Sequence, residues 1–208
     1  MSNVDSKDLQ KLYLAYFGRP GDPSGINYWL SRSSESITLS EISNELSRQD
    51  EYTKFIANDK SVDFKINKFY LNLFNRKADF NGLNYWMEMV NSNNYKISDI
   101  VCDLVCLSNH QYSTNSQQEK SDIKILQNKI TAAELFTKQI SKSITLINLY
   151  KPDSISPWKT GNTFIRVSNF LAKVKYQKVN CSQIKTLINS LSDSPINILT
   201  QPAIEIKD

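Results

Sequence analysis

Apolar residues recur along this chain at helical spacing, in short stretches parted by polar turns. Leu12, Tyr13, Tyr16 and Phe17 stand at i, i+1, i+4 and i+5, and Phe69, Tyr70, Leu73 and Phe74 repeat that arrangement. Each set forms one apolar stripe of an amphipathic helix. Asp22 ahead of Pro23 reads as the N-cap of a following helix, because its carboxylate accepts orphan N–H groups while proline tolerates the first helical position. Asp79 holds the same place further on. Arg19 and Arg76 precede these caps by three residues, close enough to brace the turn through the Asp or the last carbonyls of the first helix. Gly25 and Gly82 fall in the first turn of the new helix, where a side chain would hold the preceding helix away. Tyr28 with Trp29, and Tyr85 with Trp86, supply aromatic area to join the helices. Thr38 with Glu41 forms a capping box for a third helix, TLSEISNELSRQDEYTKFI, and KISDIVCDLVCLSNHQY is its later counterpart.

These signals are two copies of one unit. LYLAYFGRPGDPSGINYWL (12–30) and FYLNLFNRKADFNGLNYWM (69–87) agree at nine of nineteen positions at an offset of 57, with the aromatics in register. The second half continues in helical pattern. Thr131 with Glu134 predicts another capping box; Leu135, Ile140, Ile144, Ile147 and Leu149 give one apolar face, and Phe164, Val167, Phe170, Leu171 and Val174 another. Ser182 opens a last helix on Ile184, Leu187, Ile188 and Leu191. The expected architecture is all-α: helical repeats over 1–60 and 61–118, a C-terminal helical subdomain over 119–191, and a strand-forming linker over 192–208 toward a downstream region.

Composition narrows the chemistry. The chain has 208 residues, 40% hydrophobic and 22% charged, which is globular and excludes disordered and fibrous classes. A net charge of +4 spread along the sequence carries no nucleic-acid footprint. One histidine, His110, and five glycines leave little for multi-histidine metal sites or phosphate-cradling loops, so an enzyme is not expected. The first twenty residues carry charge throughout and lack a signal peptide's apolar core, and no run reaches the roughly 18 apolar residues that span a bilayer. Cys102, Cys106 and Cys181 are an odd number; Cys102, Cys106 and His110, at i, i+4 and i+8, admit a zinc reading but read better as buried thiols with a helix-end histidine.

The segment Tyr13 to Trp29, with Tyr-x-x-x-Phe-Gly-Arg-Pro-x-Asp-x-x-Gly-x-x-Tyr-Trp, resembles the family catalogued as domain of unknown function 4214, found in tandem in secreted bacterial surface proteins. In the second copy Gly18 and Pro20 are replaced by Asn75 and Lys77. The likeness covers about residues 8 to 112. From Thr131 onward the order of helices and a Pro-rich loop is similar to the N-terminal anchoring domain of Gram-negative surface-layer proteins. That resemblance implies a non-catalytic anchor, exported by type I secretion without an N-terminal signal, that holds a lattice of its own copies on the outer cell surface by binding lipopolysaccharide O-antigen, with Ca²⁺ as the associated ion. Whether metal binds in this segment stays open: an Asp, an Asn and backbone carbonyls in each Gly-containing turn could hold Ca²⁺, yet one carboxylate per turn favours capping. The alternative is a cytoplasmic assembly linker resembling phycobilisome linker polypeptides, which share a Phe-Gly-Arg type turn.

For the glycan itself the candidate site is the loop from Lys151 to Asn162. Pro152 and Pro157 stiffen it, and it offers Trp158 as an aromatic plate beside Lys159, Asn162 and Arg166. Trp158 has the competing role of a plug in the core.

Overall fold

Asp5 accepts from the backbone N–H of Asp8 at 2.9 Å, and Asp8 returns the bond at 3.4 Å, so a capping box starts α1 (Ser6–Phe17). The helix ends at Gly18, which adopts φ +64° and donates to the Leu14 carbonyl. The corresponding α4 (Val62–Phe74) ends in the same left-handed conformation at Asn75, φ +59°, with its N–H on Leu71. Asparagine tolerates that region better than most residues, so the Gly-to-Asn change between the copies keeps the helix stop. It adds a bond too, from Asn75 Nδ2 to the Val174 carbonyl at 2.7 Å.

The computed structural model describes residues 4–34, 36–92, 95–106, 116–151 and 162–192, and among them every regular element is a helix. After α1 come α2 (Pro23–Ser34), α3 (Leu39–Leu46) and a π-helix (Glu51–Ile56). After α4 come α5 (Phe80–Ser92), α6 (Ile97–Cys106), α7 (Gln117–Ile140), α8 (Ile144–Leu149), α9 (Asn162–Ala172) and α10 (Cys181–Ser192). The all-α expectation is met. Among the described residues no helix is long and apolar enough to cross a membrane.

The core is a stack of α1, α4 and α7, with α3 and α6 packed together on one side and α9 and α10 against α7. Its contacts follow the 57-residue offset one step beyond the visible repeat. Leu12, Phe69 and Leu126 are each fully buried, as are Tyr16 and Leu73, with Ile130 nearly so. Asn72 Nδ2 donates to the Ala15 carbonyl at 2.8 Å, and Lys129 Nζ donates to the Asn72 carbonyl at 2.5 Å, each bond reaching back 57 residues. Helix α7 therefore takes the third place in the stack.

Several local expectations change. Thr131 and Glu134 are interior to α7, which starts 14 residues earlier at Gln117, behind the Ser116 cap; the Thr131 hydroxyl bonds back to the Gln127 carbonyl instead of capping. A Ser/Thr-x-x-Glu pattern caps only where the chain leaves the helix, and here it does not. The expected third helix breaks into α3 and the π-helix, and the stretch after α7 restarts as α8 at the Ser143 cap. The last helix is capped by Asn180, not Ser182, through reciprocal 3.0 Å bonds with Gln183. Cys102 and Cys106 are half-buried, with burial pushing the Cys102 thiol up to about 11, and Cys181 is exposed. His110 lies outside the described residues, as does the tail from 193 on.

Candidate functional site

The turn between α1 and α2 is built around one buried cation. Arg19 is 2% exposed; its Nε and Nη2 donate to both oxygens of Glu51 at 2.7 and 2.6 Å, and its Nη1 donates to the Pro20 carbonyl at 3.0 Å. Bidentate geometry of this kind is the strong form of the charged hydrogen bond. Burial alone would lower the Arg19 pKa, but Glu51 more than offsets it and the guanidinium is held well above its ordinary value. Its flat face lies 4.0 Å from the ring of Phe164 in α9. The brace expected from Asp22 is thus secondary: that carboxylate stands 3.7 Å away and spends its other oxygen on the Gly25 N–H at 2.8 Å, the predicted cap.

Gly25 is required by contact. A Cβ there would lie 2.2 Å from the hydroxyl of Tyr13, whose pKa burial raises. The close approach lets Trp29 sink to 4% exposure. Its neighbour does not follow it: Tyr28 is half-exposed, edge-on to Trp29 at 4.8 Å, with the Arg32 guanidinium donating to its hydroxyl. Of the aromatic pair only the tryptophan is buried between the helices, because one helical step of about 100° carries the tyrosine ring toward solvent while leaving it edge-on to its neighbour.

Between this turn and the start of the π-helix lies an open cleft of about 490 Å³. The Arg19–Glu51 pair and Asp22 form its floor. Its rim is exposed and polar, made by Ser24, Gln49, Asp50 and the ring of Tyr28. Arg19 stands against Asp22 and Glu51, and Asp50 pairs with Lys54 at 3.0 Å, so three carboxylates meet two cations and the cleft is weakly acidic. An aromatic plate with a hydroxyl, an amide and a carboxylate around it can stack on an apolar face and exchange hydrogen bonds with a ring of hydroxyls. The nearest carboxylates, Asp22 and Glu51, share the one Arg19 cation, with Glu51 in the bidentate pair.

The second turn carries the same local geometry in other surroundings. Asp79 caps Gly82 at 2.9 Å and stands 3.6 Å from Arg76, and Tyr85 lies 4.8 Å from Trp86. Arg76, however, pairs with Asp122 of α7, its Nη2 at 2.6 Å, and its side chain is 26% exposed. Neither Glu51 nor Asp122 has a sequence signal, because neither stands at a fixed place relative to its arginine.

Of the predicted glycan group, Trp158 and Lys159 lie outside the described residues, and Asn162 is the first residue of α9. Arg166 donates to the Ser190 carbonyl and ties α9 to α10. As to calcium, each turn carboxylate faces a guanidinium, which does not favour a cation. Among the described residues no group of three or more His, Cys, Asp or Glu side chains is placed so that it could hold a metal ion. Compared with family models, curated proteins and solved structures, the chain matches none.

Proposed function

We propose that this chain is a non-catalytic saccharide-binding segment that anchors a surface protein to lipopolysaccharide O-antigen. The observation that carries the ligand class is the cleft beside the first turn, with the half-exposed Tyr28 ring and the Ser24, Gln49 and Asp50 side chains around it. The resemblance to tandem surface-protein repeats supplies the location. Because the cleft is weakly acidic, a neutral sugar suits it better than a uronic acid. Trp158, Lys159 and Asn162 stay candidates on the sequence pattern, Trp158 and Lys159 lying outside the described residues. Sugar hydroxyls also have water as a partner, so each hydrogen bond adds only about 0.5 to 1.5 kcal/mol net. A single cleft then binds weakly, and retention on a cell comes from many copies held in an array.

The test compares wild type with Tyr28→Ala and Asp50→Ala for retention on cells that carry or lack O-antigen, with and without calcium, after a thermal melt has shown each variant folded. Retention that needs O-antigen, drops about tenfold in Tyr28→Ala and ignores calcium at this site is the expected result. Undiminished retention of both variants moves the ligand away from the cleft. If wild type is not retained, the anchor is wrong and the assembly-linker alternative takes its place.

A further inference from the structure

The two repeats differ in what lies over their second helix. In the first, α7 runs across α2, and the head of the contact is a small polar relay. Gln10 Oε1 accepts from the Gly21 N–H at 3.0 Å, Gln10 Nε2 donates to the Thr137 hydroxyl at 2.9 Å, and that hydroxyl donates to the Gly21 carbonyl at 2.8 Å. Thr137 of α7 thus closes a ring with the α1–α2 turn. Beneath it Pro23 and Ile26 are buried.

Fifty-seven residues on, half of that relay is present. Asn67 Oδ1 accepts from the Ala78 N–H at 3.1 Å, as Gln10 does from Gly21. Among the described residues no hydroxyl reaches Asn67 Nδ2 or the Ala78 carbonyl. Phe80, at the place of buried Pro23, is 78% exposed, and Leu83, at the place of buried Ile26, is only partly covered. Trp86 is the one residue of α5 that is buried, and α5 packs chiefly on α4. Helix α10, which follows α7 by about the same interval along the chain, packs on α7 and α9 instead. Phe80 thus stands in water at the head of a half-made hydrogen-bond relay whose complete form, in the first repeat, is closed by a helix.

We infer that the outer face of α5, headed by Asn67 and Ala78, docks an amphipathic helix of a partner polypeptide that presents a serine or threonine hydroxyl. The occupant is specified by the first repeat, where α7 fills the equivalent place: the hydroxyl would accept from Asn67 Nδ2 and donate to the Ala78 carbonyl, and small and aliphatic neighbours would cover Phe80 and Leu83. This is helix-in-groove recognition with one polar anchor setting the register.

The probe is the helix that already fits the first repeat: a fluorescent peptide of residues 128–142, cross-linked on its solvent side and helical by circular dichroism, titrated against the full chain. Saturable binding is expected, more than tenfold weaker for the chain carrying Phe80→Glu, and about three- to tenfold weaker for a peptide with valine in place of the threonine corresponding to Thr137. Phe80 is exposed, so its substitution leaves the fold intact, and an unchanged melt checks this. No binding, or binding indifferent to Phe80→Glu, overturns the inference. So does concentration-dependent dimerisation abolished by Phe80→Glu, which would make a second copy the occupant.

Discussion

The two motif turns share their residues and differ in their burial. At the first, Asp22 and Arg19 have side chains 6% and 3% exposed; at the second, Asp79 and Arg76 are 64% and 26% exposed. The local distances nevertheless agree within about a tenth of an ångström, cap for cap and ring for ring. Local sequence therefore sets the shape of the turn, and the elements laid over it set how strongly its charges interact. The π-helix, α7 and α9 close on the first turn, whereas the second meets α7 on one side and water on the other. At the first, the buried pair ends up as the floor of a cleft.

The sharpest way to break this comparison is to remove the two arginines in turn. Arg19→Met leaves Glu51 and Asp22 without their cation in a closed site and should cost about 3 to 5 kcal/mol, whereas Arg76→Met, next to solvent, should cost about 1 kcal/mol. Urea midpoints of the two variants measure the difference; equal losses would mean that burial does not separate the turns. A smaller effect separates the glycines. Gly25→Ala drives a methyl into the Tyr13 hydroxyl and should cost about 1 to 3 kcal/mol. Gly82→Ala meets Tyr70 at 3.4 Å, an ordinary contact, and should change stability by less than about 0.5 kcal/mol.

The two joints of the helix stack offer the finest contrast. Asn72 and Lys129 make the same bond to a carbonyl 57 residues back, but only the lysine titrates. Burial, with Lys68 nearby, pushes its ammonium down to about 7. Between that value and the ordinary lysine value near 10.4 the unfolded chain holds a proton that the folded chain has released, so stability rises with pH through this window. From pH 7 to pH 8 the gain should be about 1 kcal/mol. Lys129→Met should remove that rise, read as the difference between its urea midpoints at the two pH values and those of wild type.

What could be read from the sequence was what is local. The Asp22 and Asp79 caps, the Thr38–Glu41 box, the buried tryptophans and the all-helical character follow from residues within a few positions of one another. The partners that give the first turn its character do not. Glu51 has no counterpart 57 residues on, where Ser108 stands, and Asp122 enters from a helix whose start was hidden in a polar stretch. α7 has buried residues at the matching positions, Leu126 and Ile130, but neither the aromatics nor the turn of the repeat, so no motif marks it as the third stack member. The cleft rim was equally hidden, because Gln49 and Asp50 meet Tyr28 only through the fold.

The distances along the chain that these bonds span also fix an order in time. Glu51 follows Arg19 by 32 residues, Asp122 follows Arg76 by 46, and Tyr150, whose hydroxyl donates to the Pro20 carbonyl, comes 130 residues after it. A polypeptide emerging from its N-terminus meets these partners in that sequence, and the shortest loops cost the least entropy to close. The first turn can thus be neutralised while most of the chain is unsynthesised, but Tyr150 and Phe164, which seal it, arrive late. A nascent chain halted before Tyr150 would carry the cleft beside Tyr28 on an unsealed floor.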